Sequence, residues 1–334
     1  MSSRRSVVVN ISIIFAVAIL VTILCRSFLV ELYNVAPCQM ENTLLKGDRV
    51  IVTKWQYGIR LPQSYISLPF IDTLPGCDIP AHYPVEPLPY KRVATKEVTR
   101  NDIIAFNYPM GESAPLSHYP TAISRCVGVP GDTICAYDGV LYINGKPSAQ
   151  SPVVTEAYLV NDSLLPQVEE CMTQLLGETA GKYSMGNNTT MLYIDRYCYD
   201  KMQELLPSYI QLTPVNLSQD NYVVELPSCD KEVVITADNA AFYAHIINQY
   251  EPMKVVLHND ALYRAGRKIN RYRFTQPYYW VLCDNRTAAS DSRSFGVLPH
   301  SHIIGRCDMI IFSIDNRHGV LPTFRKSRFF KTIQ

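Results

Sequence analysis

The sequence predicts a mainly β protein with an antiparallel β core, an inserted α+β subdomain and one amino-terminal transmembrane helix. Three observations predict this architecture. The 334 residues include 22 tyrosines and 22 prolines but only 15 glycines, a composition that favours strands with irregular connections over helices. Short apolar runs end repeatedly at turn residues, which is typical of antiparallel strands. A longer apolar run near the amino terminus has the length of a membrane-spanning helix.

The membrane-spanning prediction rests on residues 7–25, an apolar run of 19 residues that follows two arginines. Because positive residues favour the cytoplasmic side, the amino terminus is expected in the cytoplasm and everything after Arg26 across the membrane. A cleaved signal peptide is the alternative. No small-x-small cleavage site follows the run, and Leu24 before Cys25 is too large for the usual lipoprotein site. A retained anchor in contact with membrane lipid is therefore predicted.

Charge and cysteine content narrow the class of protein further. The formal net charge of +1 gives no reason to expect a nucleic-acid partner, and no cofactor is predicted. Of the ten cysteines, nine follow the apolar run, and this odd number leaves at least one exported thiol outside any disulfide within the chain. Cys171 and Cys198 are one candidate disulfide pair, because an exported domain allows disulfides.

Changes in residue composition and in the spacing of apolar residues divide the chain into segments. They are a cytoplasmic stub and anchor (1–30), the first part of the β core (31–146), an inserted subdomain (147–252), the second part of the β core (253–315) and a basic carboxyl-terminal tail (316–334). Inside the insert, residues 164–176 and 197–206 have the apolar spacing of helices. The tail can contact anionic lipid, but a solvated end is the simpler expectation.

Strands are predicted where short apolar runs are bounded by turn signals. They are residues 49–58, 100–109, 122–134, 233–236, 254–257, 272–274, 278–282 and 302–313. Turns are predicted at Gly47-Asp48 and Pro130-Gly131-Asp132, and a hairpin at 141–146 is predicted from its Asn144-Gly145 pair. The proline-rich residues 60–90 show no helical period, so an extended loop over the sheet or against lipid headgroups is predicted there.

A polar loop at residues 283–296 follows the aromatic strand 278–282 directly. Asp291 and Arg293 can form a charge-assisted, bidentate ion pair in this loop, and Asn285 can hydrogen-bond to neighbouring backbone groups. A surface turn held by one ion pair is the simpler alternative. Both readings place the loop at the end of a buried strand.

Two histidines follow the polar loop. His300 and His302 would share one face of an extended segment, where two imidazoles can bind a metal. No third ligand is indicated, so a surface turn without a metal is predicted.

Three blocks of sequence, together with the predicted anchor, resemble bacterial type I signal peptidase, peptidase family S26. The blocks are Met-x-x-Thr-Leu-Leu-x-Gly-Asp at 40–48, Arg-x-Val-Gly-x-Pro-Gly-Asp at 125–132 and Asp-Asn-Arg-(x)4-Asp-Ser-Arg-(x)2-Gly at 284–296. Their order and spacing agree with the family. The resemblance implies an antiparallel β core of signal-peptidase type and assigns structural roles to Asp284, Asn285, Arg286, Asp291 and Arg293.

The resemblance also implies a serine nucleophile and a lysine base that together cut signal peptides from exported proteins. This chain departs from the family at the chemical positions. Those positions hold Gln39 for the nucleophile, Ser124 for the base, Ala289 for the serine that orients the base, and Pro37 for the oxyanion-hole serine. A glutamine amide is not a nucleophile, and a serine hydroxyl does not replace an amine base. The four chemical roles are therefore predicted to be vacant, although the structural positions are kept.

The predicted function follows from this contrast. We expect a single-pass protein of the bacterial inner membrane, with a periplasmic main domain, that binds signal peptides or exported preproteins without cleaving them or acts as a partner subunit of an active signal peptidase paralogue. The alternative is an active endopeptidase with a displaced nucleophile, of which Cys38 is the prime candidate, with His118 or the later histidine pair as its base. A third hypothesis is a structural envelope protein whose insert contacts a partner.

Overall fold

The computed structural model of the chain describes residues 2–35, 40, 43–61, 90–109, 116, 119–137, 140–148, 154–176, 181–215, 221–286, 291–315 and 323–333. Most of the predicted loop at 60–90 lies outside these ranges. The helices are α1 (Ser2–Leu24), α2 (Leu165–Leu176), α3 (Arg196–Leu205), α4 (Ala237–Tyr250) and the short α5 (Ser292–Phe295). A π-helical turn, Cys25–Leu29, continues α1, and short 3-10 turns occur at Trp55–Tyr57, His300–His302 and Lys326–Arg328.

The amino-terminal helix forms where the apolar run predicts it. Within the described part of the chain, however, no helix combines the length and the apolarity needed to cross a membrane. The predicted transmembrane anchor is therefore not confirmed.

The strands are short, with bounds as follows. Up to residue 147 they are β1 (Val30–Asn34), β2 (Asp48–Thr53), β3 (Ile59–Arg60), β4 (Arg92–Val93), β5 (Ile103–Asn107), β6 (Thr121–Gly128), β7 (Thr133–Tyr137), β8 (Val140–Ile143) and β9 (Lys146–Pro147). The next group is β10 (Thr155–Asn161), β11 (Gly181–Gly186), β12 (Thr189–Asp195) and β13 (Thr213–Val215). The remaining strands are β14 (Tyr222–Glu225), β15 (Val233–Val234), β16 (Val256–His258), β17 (Ala261–Arg264), β18 (Arg267–Ile269), β19 (Arg271–Tyr272), β20 (Tyr278–Leu282), β21 (Leu298–Pro299), β22 (Ile303–Asp315), β23 (Thr323–Phe324) and β24 (Lys331–Thr332).

The largest sheet carries the core of the fold. Its strands run in the order β1-β2-β22-β5-β6-β20-β21, and β23 and β24 also pair with β22. The ladders between these strands are antiparallel, which confirms the mainly β, antiparallel prediction. Strand β5 is buried on both faces, because Ile103 and Ala105 pack into one apolar cluster while Ile104 and Phe106 pack into another. This continuous burial places β5 and its neighbour β6 at the buried centre of the main sheet.

A second apolar layer packs against one side of this sheet. It contains the sheet β14-β7-β8-β9 and helix α4, whose side chains Ala240, Tyr243, Ala244 and Ile247 face the same cluster as Trp280. Their spacing is that of one helical face, and a capping box between Thr236 and Asn239 begins the helix. The predicted hairpin at Asn144-Gly145 joins β8 to β9, with positive φ at both turn residues.

The helices predicted in the insert are confirmed as α2 and α3. They pack on a separate four-stranded sheet, β11-β12-β10-β13, around an apolar cluster of its own. Residues 221–250 instead add strand β14 and helix α4 to the main core. Cys171 and Cys198 both lie in the core of this α+β unit as free thiols, so the candidate disulfide is not formed.

The carboxyl-terminal residues 323–333 are docked on the core, contrary to the expectation of a solvated tail. Arg328 donates to both carboxylate oxygens of Asp48, at 3.1 and 2.6 Å, and to the Thr43 carbonyl at 2.9 Å. Asp48 is fully buried and begins β2 directly after Gly47, whose φ of 95° and close approach to the Ile314 backbone exclude any larger residue. Arg328 of the carboxyl-terminal tail therefore holds the segment 43–48 in place through these hydrogen bonds.

Arg328→Gln is expected to lower the free energy of unfolding by about 2 kcal/mol, because charge-assisted hydrogen bonds to a buried carboxylate are lost. Urea unfolding followed by tryptophan fluorescence measures this change. Lys326→Gln is the matched control, since Lys326 is an exposed cation in the same turn. Equal stability of the two variants would contradict the docking contact.

Candidate functional site

Three segments of the chain converge on the carboxylate of Asp284. Arg125, in β6, donates from Nε to Oδ1 at 2.9 Å and from Nη2 to Oδ2 at 2.8 Å. The Thr43 hydroxyl donates to Oδ2 at 2.6 Å, and the Asp284 backbone N–H points at the Met40 sulfur, 3.5 Å away. Arg125 and Asp284 are almost fully buried, so the pair is a desolvated, bidentate ion pair. Asp284 therefore brings together the first residues of the three sequence blocks, Met40, Arg125 and Asp284 itself.

Ser124 lies beside this ion pair, at the position where the family resemblance requires a lysine. It is fully buried in β6, opposite Ile104 of β5. Its hydroxyl oxygen lies 3.6 Å from the sulfur of Cys283. At the predicted base position, the structure therefore has a small hydroxyl group in contact with the thiol of Cys283.

Cys283 is a site residue that sequence reasoning missed. The pairing of β20 with β6 accounts for its position. Leu282 of β20 pairs with Arg125 of β6, so in this antiparallel ladder the next residue, Cys283, lies beside Ser124. Burial, and then the nearby Asp291 charge, raise the pKa of the Cys283 thiol from 9.0 to about 12. The thiol is therefore protonated near neutral pH and is neither a base nor a reactive nucleophile.

Arg293 and Arg286 are the positively charged side chains that lower the pKa of the Cys283 thiol, against the larger effect of burial. A guanidinium keeps its proton in proteins, so neither arginine can accept a proton from a nucleophile. Burial, followed by the Arg293 charge, lowers the pKa of Arg286 from 12.5. These groups supply positive charge to the site without supplying a base.

The Asp291–Arg293 pair holds the polar loop. Arg293 donates from Nε to Oδ1 at 2.9 Å and from Nη2 to Oδ2 at 2.7 Å, while the Cys283 backbone N–H also donates to Oδ2 at 3.0 Å. The Asp291 side chain accepts the Arg293 backbone N–H as well, which caps α5. Arg293 reaches back to the Arg286 carbonyl at 2.8 Å. The ion pair thus closes the loop on itself and on strand β20.

Asn285 and Arg286 connect the site to the α+β unit. Asn285 forms a bridge with Thr155, and the Arg286 backbone N–H donates to the Thr155 carbonyl at 3.0 Å. The Thr155 N–H donates in turn to the Asp284 carbonyl at 2.9 Å. Because Thr155 begins β10, the first strand of the α+β unit is hydrogen-bonded to the polar loop.

Several predicted site residues lie outside the described residues. They are Pro37, Cys38, Gln39, His118 and Ala289. The nucleophile, oxyanion and base-orienting positions therefore stay sequence predictions, whereas the base position at Ser124 has its surroundings defined. Met40, directly after position 39, is buried against the Asp284 backbone and ties that end of the segment to the site.

His300 and His302 do not form the surface turn that was predicted, because both side chains are buried. The Tyr279 hydroxyl lies 3.3 Å from Nδ1 of His300, and Arg92 Nη1 lies 3.3 Å from Nε2. The ring of His302 stacks on Tyr119. Among the described residues there is no group of three side chains that could hold a metal ion. Packing against aromatic rings is the observed role of both imidazoles.

His300 is expected to destabilise the fold in acid. Burial, followed by the Arg92 charge, lowers the pKa of His300 from 6.5 to about 4. Its contribution is complete above pH 6.5 and is lost as the pH falls toward 4, because the unfolded chain takes up a proton that the folded chain refuses. Between pH 7 and pH 5 the loss should be about 2 kcal/mol. Urea unfolding of parent protein and His300→Gln at both pH values measures it, and equal pH dependence of the two proteins would contradict the assignment.

Comparison with known proteins agrees with the convergence of these blocks. A family model described as signal peptidase, peptidase S26, matches residues 7–193 and 230–312. The signal peptidase I of Rickettsia conorii is 30% identical over 183 residues, which cover 55% of this chain and 59% of that protein, so the matched part spans less than two thirds of that relative. The signal peptidase I of Rickettsia typhi is 24% identical over 335 residues, covering 96% of this chain and 91% of that protein. A signal peptidase I crystal structure from Enterococcus faecalis is 17% identical, with a match that covers 63% of this chain and 97% of that chain and has a TM-score of 0.23.

Proposed function

Because this chain belongs to the signal peptidase family, peptidase S26, we propose that it holds extended peptide segments of exported proteins without cleaving them through a serine and lysine pair. One observation carries the proposal. Where the family resemblance requires a lysine amine, a fully buried Ser124 hydroxyl contacts the protonated thiol of Cys283. Neither group can take a proton from a nucleophile near neutral pH.

The intact scaffold around this position supports a retained binding role. The buried Arg125–Asp284 pair and the Asp291–Arg293 pair hold the polar loop against β6 and β20. An uncompensated buried charge is strongly destabilising, so these pairs keep the three blocks in one arrangement whether or not hydrolysis occurs. A peptide that adds to a sheet edge beside this scaffold needs main-chain hydrogen bonds and side-chain pockets, and it needs no catalytic base.

Membrane attachment through α1 belongs to the same proposal. The side chains of Ile11, Ile14, Phe15 and Leu20 are all more than half exposed on this helix. Lipid is the environment that removes such side chains from water. Alkaline carbonate extraction tests the attachment, and protease protection in spheroplasts tests the periplasmic placement of the main domain. Release of the full chain by carbonate would contradict the attachment.

The absence of cleavage is tested with a purified preprotein. The detergent-solubilised full chain is incubated with the preprotein, and the products are examined by mass spectrometry. We expect no site-specific cleavage, together with photo-crosslinking of the signal peptide to the chain. Efficient cleavage at one site would contradict the proposal, and loss of that cleavage in Cys38→Ala would identify the displaced-nucleophile alternative. A chain that crosslinks to no peptide, but to a partner protein through the insert at residues 147–252, would favour the structural role.

A further inference from the structure

A pair of arginines lies opposite each other at the edge of the core. Strands β3 and β4 pair antiparallel, and the register places Arg60 directly across from Arg92. Like charges in directly opposite positions of an antiparallel pair repel one another. The repulsion is strengthened by burial, which lowers the pKa of both guanidiniums, that of Arg60 to about 10. A fold that keeps this pair needs something to compensate it.

Within the described residues, the hydrogen-bond acceptors of the two arginines are neutral. Arg60 donates to the Asn107 amide oxygen at 2.7 Å. Arg92 donates to the backbone carbonyls of Tyr57 and Ile303, and it also lies beside the neutral imidazole of His300 and the Tyr90 hydroxyl. Among the described residues, no carboxylate forms a hydrogen bond or an ion pair with either arginine.

The carboxylate with the strongest influence on Arg60 is already engaged elsewhere. Glu31 forms ion pairs with Lys54 at 2.6 Å and with Arg26 at 3.7 Å, and it accepts the Tyr33 hydroxyl at 3.0 Å. Among the described residues, Arg26, Lys54 and Arg60 surround Glu31 and Arg92 lies beside Arg60, so four cations face one carboxylate. The excess is local, because the whole chain has a net charge of only +1.

Two buried polar atoms lie in the same place. The Nε of Arg92 and the hydroxyl of Tyr90 are both buried without a hydrogen bond of standard geometry, and the Tyr90 hydroxyl lies close enough to the Arg92 guanidinium to favour its charged form. Tyr90 acts electrostatically on both Arg60 and Arg92, so its hydroxyl lies beside the pair. Buried polar atoms of native proteins are rarely left unsatisfied, and a bound ion is one of the standard reasons for an exception.

We propose that Arg60, Arg92 and Tyr90 form a binding site for an oxyanion of the phosphate class. A phosphate group offers several acceptor oxygens in different directions, so it can accept from Arg92 Nε, from the Tyr90 hydroxyl and from Arg60 at once. Its negative charge offsets the repulsion between the guanidiniums. A water molecule would satisfy the two donors but would leave the charges uncompensated.

The position of the site suggests where such a phosphate comes from. Strand β3 packs on the turn Cys25–Leu29, which follows α1 directly. Leu29, Leu32 and Trp55 are exposed in the segments around this turn. If α1 lies in a membrane, the arginine pair lies near the headgroups, where phospholipid phosphates are concentrated. Free inorganic phosphate is the other source of the same chemistry.

The test is isothermal titration of the full chain, purified in a nonionic detergent, at constant ionic strength. Inorganic phosphate is titrated in one arm and a short-chain phosphatidylglycerol, below its micelle concentration, in the other. Arg60→Gln should weaken binding of the ligand at least about tenfold through loss of charge-assisted contacts, and Tyr90→Phe should weaken it severalfold. Lys91→Gln is the matched control, because Lys91 is an exposed cation next to Arg92, and binding should be unchanged.

Binding in the phosphate arm with this pattern of variants supports the site with free phosphate as its ligand. The same pattern in the lipid arm alone supports the site with a headgroup as its ligand. Absence of binding in both arms, or an equal effect of Arg60→Gln and Lys91→Gln, overturns the proposal. Preferential binding of acetate over phosphate also overturns it, since that result indicates a peptide carboxylate site. Tyr90→Phe keeps the ring, so it still decides the matter if Arg60→Gln fails to fold.

Discussion

Arg125→Met is expected to lower the free energy of unfolding by about 3–5 kcal/mol. The Asp284 carboxylate is 1% exposed and accepts two hydrogen bonds from the Arg125 guanidinium. Removing the guanidinium leaves a buried negative charge for which the described residues supply one side-chain donor, the Thr43 hydroxyl. One neutral hydroxyl cannot offset the desolvation of a carboxylate, so the folded state loses much more than the net value of the pair.

Urea unfolding followed by tryptophan fluorescence measures this loss, because the buried Trp280 lies in β20, which pairs with β6. Glu169→Ala is the control, since the Glu169–Lys182 pair is a half-exposed ion pair of similar length, 2.6 Å. Its removal should change stability by less than about 1 kcal/mol. The double variant Arg125→Met/Asp284→Leu should be more stable than Arg125→Met alone, because no unpaired charge remains. A single variant as stable as the control would contradict the buried-pair assignment.

The parts of the fold that the sequence predicted well are those governed by local pattern. Strand β20 is an apolar run directly before a polar loop, and the β8–β9 hairpin follows from two residues with positive φ. Helix α4 was missed although Ala240, Tyr243, Ala244 and Ile247 have helical spacing, because the residues before it read as a strand. The docking of Arg328 on Asp48 joins residues 280 positions apart, and no local pattern carries such a contact.

For the site as well, features set by local sequence were predicted, whereas features set by long-range packing were not. The sequence identified the family and placed Ser124 at the base position, and the family assignment is confirmed. It missed Cys283 because the contact depends on the register between β6 and β20, which is set by the packing of the whole sheet. The burial of His300 and His302 was also missed, because a His-Ser-His sequence between two strands reads equally well as exposed. Composition does not reveal that Tyr119, Tyr250 and Tyr279 surround the two rings.

Signal-peptide cleavage is expected to appear in the triple variant Gln39→Ser/Ser124→Lys/Cys283→Gly. The first two changes supply a hydroxyl and an amine at the positions that the family resemblance assigns to nucleophile and base. Burial at position 124 lowers the pKa of the introduced amine and favours its neutral form, which is the form that accepts a proton. The third change is required by the structure, because the Cys283 sulfur lies 3.6 Å from the Ser124 hydroxyl and fills space that the longer side chain needs.

Pro37 and Ala289 limit the size of the recovered rate, and Ala289 does so because it lacks the hydroxyl that orients the base in the family. Pro37 has no hydroxyl for the oxyanion, and loss of one such donor lowers the rate on the order of 100-fold or more. Keeping Cys283 forces the introduced side chain into a filled space at a cost of about 1–3 kcal/mol, so the double variant Gln39→Ser/Ser124→Lys should be about tenfold slower or worse. Mass spectrometry of a preprotein incubated with each detergent-solubilised variant gives the cleavage site and the initial rate.

Two control variants test whether the recovered cleavage depends on the hydroxyl at position 39 and on the amine at position 124. Gln39→Ser/Cys283→Gly lacks an amine at position 124 and should be inert. Gln39→Ala/Ser124→Lys/Cys283→Gly lacks the hydroxyl and should also be inert, whereas cleavage by this variant would mean that another nucleophile, such as Cys38, uses the introduced amine. If the triple variant is inert, Pro37→Ser and Ala289→Ser are added to it, and failure of this fully reverted chain to cleave, with unfolding at the same urea concentration as the parent, would show that position 39 does not face position 124. In that case hydrolysis was lost through a rearranged cleft as well as through the missing side chains.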